Sequence, residues 1–363
     1  MQIKETQRLE LPPTADMHVH LRQGDMMGLI TPTVKQGGVD VAFVMPNLVL
    51  EYQSQLKSIA PDVHFLMSLF LHPSITPEVI ASAAAAGITG VKIQPFSGGT
   101  TNSDSGVSDV EAFYETFAAM EKYDMGLIHH GCTVLNIHGE VLEAQAPPDT
   151  TLEEAFLPTL QKLHKRFPNL RIVLEHCTTA GAVEAVRACG PTVGATITAH
   201  HLYLTHHEAC CDPFAFCKPI PKKPTDRDAL VKAVVSGESK FFFGSDSAPH
   251  PLKAKTSSPE GRAPAGVFTQ PHVTQLVLLA LEEAIDRGVI TEADVTQEKL
   301  EGFLSKNGRR FYKLPESSGK KVVLERKGDK IATSVKTEDG TVEVGNSRAG
   351  DEIFTLTWEI AQV

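Results

Sequence analysis

Near the start of the chain, DMHVHL (16–21) sets His18 and His20 two residues apart between apolar neighbours. In a strand, residues at i and i+2 face the same side, so both imidazoles are expected to project together. More polar residues recur where later apolar runs stop: Asn47, Lys92, His138, His176 and Asp246. Neutral imidazoles with a carboxylate are zinc ligands by type. As an ammonium, Lys92 cannot ligate, but burial near cations favours its neutral amine. A neutral amine adds carbon dioxide to give a carbamate, which is a carboxylate able to bridge two metals. One histidine at one strand end reads as a core residue; several at separate strand ends, with a carboxylate, imply a shared centre.

The elements that must position these residues are legible as alternation. Short apolar runs at 16–21, 39–47, 63–72, 88–95, 133–140, 171–177, 192–201 and 240–247 read as eight strands. Helical stretches lie between them, among them TPEVIASAAAAG, VEAFYETFAAMEKY, LEEAFLPTLQKLHKRF and DRDALVKAVVSG, with Pro, Gly, Thr and Asp at the junctions. Near-continuous apolar strands alternating with helices indicate a parallel sheet covered by helices. Eight such units predict a closed (β/α)8 TIM-type barrel, whose C-terminal strand ends converge on one mouth. The barrel is expected over 1–316. Residues 317–363, with KKVVLERKG, KIATSVKTEDG and EIFTLTWEI, are expected to form a small β-rich C-terminal extension packed on it.

Composition excludes several classes. The 363 residues are 42% hydrophobic and 21% charged, as in a soluble enzyme, and the formal net charge of −10 leaves no basic face for nucleic acid. Lys222–Lys223 and Lys320–Lys321 read as solvated basic pairs. MQIKETQRLELPPTADM lacks the apolar core of a secretory signal, and no run reaches the roughly 18 apolar residues of a membrane span. Six cysteines without a CxxC read as reduced thiols, so a cytoplasmic location is expected; Cys210, Cys211 and Cys217 lack zinc-finger spacing. His200 and His201 close the seventh run and read as neighbours of the centre rather than as ligands; His206 and His207 read as a surface turn.

HVH, VK, HGE, EHCT and GSDSAPH, at the first, fourth, fifth, sixth and eighth runs, resemble the amidohydrolase superfamily. MPN, TTNS, TAHHL and FGSDSAPH narrow the resemblance to its single-function dihydroorotases, with fungal members most alike, and it covers nearly the whole chain. The resemblance implies a binuclear centre of two Zn2+ ions. His18 and His20 with Asp246 would bind one ion and His138 with His176 the other, bridged by hydroxide and by Lys92 carboxylated at its amine (N6-carboxylysine). It also implies that Asp246 moves the proton in catalysis. Arg22 and Asn47 would hold a substrate carboxylate, His250 would contact the ring with help near Lys218 and Ala265, and Thr100 and Thr101 would lie on a closing loop. The implied reaction is reversible cyclisation of N-carbamoyl-aspartate to dihydroorotate in pyrimidine synthesis, in a homodimer.

The chain departs from the family pattern in three places. The segment after Asn47 is about ten residues short by comparison with that pattern, Gln94 stands where a Tyr is usual, and IHHGC precedes the fifth strand's end. His129 and His130 thereby become rivals of His138, which is kept because it follows the apolar run TVLNI. Two other readings keep the same scaffold. One is a different cyclic amidase of hydantoinase or dihydropyrimidinase type; the other is an inactive barrel serving as a scaffold.

Overall fold

After a short β1 (Arg8–Leu11), eight parallel strands follow one another round a sheet in chain order. They are β2 (Thr14–Val19), β3 (Val39–Val44), β4 (His64–Phe70), β5 (Gly90–Ile93), β6 (Val134–His138), β7 (Arg171–Glu175), β8 (Val193–Ile197) and β9 (Phe241–Phe243). The computed structural model describes residues 1–45, 49–94, 107, 109–125, 132–257, 263–317 and 319–360. The ring closes where β9 returns to β2: the Asp246 N–H donates to His18 O (2.8 Å), and the His20 N–H donates to Ser247 O (3.1 Å). Val19 and Ser247 form a parallel bridge at the same place. The seam of the barrel is thus made by the backbone of candidate site residues.

Helices cover the sheet, and their ends are capped as their sequences predict. Thr151 and Glu154 form a capping box at the start of Leu152–Arg166, and Pro77 follows the N-cap Thr76 at the start of Pro77–Ala85. Among the described residues no helix is long and apolar enough to cross a membrane.

The inward faces of the strands form layers. Met17, Phe43, Val134, Val173 and Phe242, from five strands, pack with Tyr312. Residues from opposite sides of the ring meet only inside it, so this cluster is the barrel's own core. Two residues further along β6 and β7 stand Asn136 and Glu175, and beyond Asn136 stands His138, as the two-residue period requires. The apolar layer is therefore the floor on which the polar site rests. On β2 the register slips between Asp16 and Val19. Irregular pairing re-aims side chains, and here the neighbours Met17 and His18 both reach the interior.

The last four strands are β10 (Lys320–Lys330), β11 (Ser334–Lys336), β12 (Glu343–Gly345) and β13 (Glu352–Ile360). The β-rich tail does not pair with itself alone. β10 lies between β1 and β13, antiparallel to both, while β11 and β12 pair with each other. Val322, Val323 and Leu324 are fully buried, and Trp358 Nε1 donates to Lys35 O (3.0 Å), which fixes the sheet against the helix Gly24–Gln36.

Gly90 marks a close approach inside the barrel. A Cβ there would lie 2.7 Å from Val134 O, 2.8 Å from Asn136 Oδ1 and 3.3 Å from Phe43 Cζ. Overpacking at such a point costs about 1–3 kcal/mol. Gly90→Ala is expected to lower the unfolding free energy by that amount, read as a lower denaturation midpoint at unchanged m-value; an unshifted midpoint would show that the interior has slack.

Candidate active site

Beyond the polar layer, side chains from β2, β5, β6, β7 and the turn after β9 converge. Glu175 is fully buried and accepts from Asn136 Nδ2 (2.5 Å), Thr196 Oγ1 (2.5 Å) and His18 Nδ1 (2.8 Å). A carboxylate only accepts, so the His18 proton sits on Nδ1, and in a neutral imidazole Nε2 then presents its lone pair. That nitrogen lies 3.4 Å from Asp246 Oδ1. His20 Nε2 lies 3.3 Å from the same oxygen. Burial lowers the His20 pKa to about 4, so at neutral pH its ring is uncharged. Burial pushes the Asp246 carboxyl up, but the His20 hydrogen bond and the charge that His18, His20 and His200 carry in acid, where this carboxyl titrates, outweigh it and hold the group below its ordinary value.

A second pair repeats the pattern. His138 Nε2 meets Glu140 Oε2 (3.2 Å), which fixes the proton there and leaves Nδ1 facing His176 Nε2 at 3.0 Å. Glu140 is itself buried, 3.5 Å from Lys222 Nζ. Lys222 is therefore no solvated surface cation, because its charge answers a carboxylate inside the protein. Lys92 lies fully buried on β5, and Nζ has no hydrogen-bond partner among the described residues. Burial lowers its pKa to about 8, against the pull of Glu175 and Asp246. His176 Nδ1 is also buried and unpartnered. Lone pairs, a carboxylate and an amine brought close to neutrality thus face one another across the centre.

The mouth is formed by the turn after β2. Arg22 Nε donates to Pro249 O (2.8 Å), and Nη2 lies 3.2 Å from His250 Nε2. His250 Nε2 also faces Ala265 O at 2.8 Å. Burial, then the Arg22 charge, lower His250 to about 4. Arg22 holds a left-handed backbone (φ 59°) with its carbonyl accepting from Tyr52 OH. Lys218 borders a cleft that is also lined by Glu140, Leu142, Thr151 and Lys222. Asn47, Thr100, Thr101, His129 and His130 fall outside the described residues.

The structure therefore gathers His18, His20, Lys92, His138, His176 and Asp246, with Arg22, His250 and Ala265 at the rim. Sequence reasoning missed Glu175, Glu140, Asn136 and Tyr52. The available signal was a glutamate within two residues of each of two inner histidines, Glu175 before His176 in LEHC and Glu140 after His138 in HGE.

Comparison with known proteins gives one family. The amidohydrolase pattern matches residues 60–314. A Schizosaccharomyces pombe protein named "Probable dihydroorotase" is 47% identical, over 91% of this chain and 94% of its own length. The Saccharomyces cerevisiae dihydroorotase is 40% identical, over 97% of this chain and 99% of its own. A crystal structure of dihydroorotase from S. cerevisiae in complex with 5-fluoroorotic acid superposes with a TM-score of 0.86 at 38% identity, covering 98% of this chain and all of that one.

The turn after β7 rests on one further carboxylate. Fully buried Glu153 accepts from Thr178 N (2.8 Å), Thr178 Oγ1 (3.1 Å) and Thr179 Oγ1 (2.5 Å). Burial pushes this carboxyl up from 4.5 to about 7 despite those bonds. Between these values the folded protein holds a proton that the unfolded chain has released, so stability falls as pH rises through the window. Comparing denaturation of the wild type with Glu153→Gln is expected to show the wild type losing relative stability between pH 4.5 and about 7. A pH-independent difference would contradict the shift.

Proposed function

The chain belongs to the amidohydrolase family, among its dihydroorotases, and on that premise we propose how its own residues carry the reaction. The activity is that of a dihydroorotase: a hydrolase of a cyclic amide that also runs in reverse, closing N-carbamoyl-aspartate to dihydroorotate with loss of water in pyrimidine synthesis. The observation that supports the residue roles best is the convergence of the His18 and His20 Nε2 atoms on one Asp246 oxygen.

Those donors fit a metal. Neutral imidazole nitrogens with lone pairs, held by carboxylates or left unpartnered at their outer atoms, are what a cation needs. In this reading His18, His20 and Asp246 would hold one Zn2+ and His138 with His176 a second. Lys92 would bridge them as a carbamate. With the amine neutral, its nitrogen lone pair attacks the carbon of CO2, the N–C bond forms and one N–H proton leaves. When bound, the metal supplies Lewis acidity, which polarises a ring carbonyl and acidifies water.

The chain's own residues do the rest. Asp246, ionised and at the centre of the cluster, takes the proton of the attacking water and passes it to the departing ring nitrogen; in the cyclising direction the path reverses. Arg22 offers a planar fork to the substrate carboxylate, and its bond to Pro249 O fixes that fork's direction. His250 and the Ala265 carbonyl bound the ring on the same side, with Lys218 along the adjoining cleft. Asn47, Thr100 and Thr101 complete the proposal from the resemblance alone, as do a cytoplasmic location and a homodimer. A carboxylate clamp at Arg22 favours dihydroorotate over the uncharged rings of hydantoinase-type substrates.

Turnover of dihydroorotate by the purified, metal-loaded protein tests the roles. Asp246→Ala is expected to abolish it. Arg22→Ala is expected to lower kcat/KM by about ten- to hundredfold, the worth of one charge-assisted contact, chiefly through KM. Unchanged kcat/KM in Arg22→Ala would remove Arg22 from the substrate site.

A further inference from the structure

Beside the centre lies a second cluster that the reaction does not use. His200 and His201 form a short turn after β8, and Cys217 lies on the segment leading to Lys218. All three are buried, at 0%, 2% and 2% exposure. One ligand atom from each lies within 4.8 Å of the others, the same spacing that links His18, His20 and Asp246. Their linear order has no metal-binding signature; the fold alone brings them together.

The second observation is His200 itself. Both its ring nitrogens are buried and without a hydrogen-bond partner among the described residues. A buried imidazole with nothing on either nitrogen calls for an explanation, and an ion or ordered water is the ordinary one. His201 is tethered at both ends instead, Nδ1 to Thr198 Oγ1 (2.8 Å) and Nε2 to Pro219 O (3.0 Å). Whichever nitrogen takes an ion gives up one of these bonds. The other then fixes the ring, as outer partners fix metal-bound histidines. Among the described residues Cys217 Sγ makes one long contact, 3.6 Å to Pro219 O.

We propose that His200, His201 and Cys217 form a third cation site, sharing no ligand with the centre around Asp246, which takes a thiophilic divalent ion such as Zn2+ or Cd2+ through two imidazole nitrogens and one thiolate. Ligands at zinc bond lengths stand roughly 3.4–3.8 Å apart, so from separations within 4.8 Å the cluster needs to close by at most about 1.4 Å. As the sulfur–metal bond forms, the thiol proton leaves to solvent and the site carries one net positive charge. The Asp246 carboxylate acts electrostatically on both His200 and Cys217 and offsets that charge. Occupancy would tie the end of β8 to the segment that carries Lys218.

The test uses the full-length protein, stripped of metal and titrated with Co2+. The centre around Asp246 has only nitrogen and oxygen donors, so a thiolate-to-cobalt charge-transfer band in the near ultraviolet reports on sulfur alone. The wild type is expected to bind a third equivalent with that band. Cys217→Ser should keep two equivalents and lose both the third and the band. His200→Gln, which leaves the thiol in place, should weaken the third equivalent by more than about tenfold and serves if Cys217→Ser does not fold. Saturation of the wild type without the near-ultraviolet band would overturn the proposal. So would a band that survives Cys217→Ser and vanishes in Cys210→Ser/Cys211→Ser, since those exposed sulfurs lie 3.3 Å apart. Failure of the first two equivalents to bind would count against the Asp246 centre instead, because band and stoichiometry are read separately.

Discussion

Glu175 is the point on which the rest of the site depends. A carboxylate with no exposed surface is tolerable only when its oxygens are filled, and donors from three other strands fill them: His18 from β2, Asn136 from β6 and Thr196 from β8. One ion thereby ties together opposite sides of the barrel at the level just above its apolar floor. Tyr312, part of that floor, reaches up through its hydroxyl, to which Asn136 Nδ2 donates at 2.6 Å. The same bond that satisfies the charge selects the His18 tautomer. Structure and chemistry are thus set by one hydrogen bond.

What surrounds this hub is strained in a consistent way. Arg22, His176 and Asp246 all hold left-handed backbones, at φ 59°, 40° and 44°. Such conformations cost about 1–3 kcal/mol each in non-glycine residues and persist only where neighbours over-determine them. Here the neighbours are visible. The Asp246 N–H is held by His18 O, the His176 N–H by Thr196 Oγ1 at 2.7 Å, and Arg22 O by the Tyr52 hydroxyl. Each constraint comes from a different strand or helix, so the barrel as a whole keeps the three side chains aimed. Pre-set lone pairs and pre-set backbone together leave these side chains little to reorganise.

Much of this was legible in the sequence, for a physical reason. The barrel strands are almost wholly buried, so each reads as a near-continuous apolar run, and the polar residues singled out stand at or just past the run ends. The strands themselves stop earlier: β3 ends at Val44, β8 at Ile197 and β9 at Phe243. Apolar patterning continues into the turns because the turns are buried too, and His20, His176 and Asp246 lie there. Glu175 and Glu140 stand in the EHCT and HGE motifs but were given no role, because a charged residue at the end of a run reads as the start of solvent. Nothing local announces that β1 pairs with β10, whose partners Leu9 and Leu324 are separated by most of the chain. Nor does spacing reveal that His200, His201 and Cys217 meet.

The central claim is that a buried, unpartnered lysine and the lone pairs around it exist to hold a metal pair through a carbamate. Growing or reconstituting the protein with 13C-bicarbonate and Zn2+, then recording 13C NMR alongside metal content, addresses it directly. The account predicts a carbamate carbon resonance in the wild type that disappears in Lys92→Ala together with most of the metal bound at the Asp246 centre. A fully metal-loaded wild type with no carbamate signal, or a signal that survives Lys92→Ala, would contradict it.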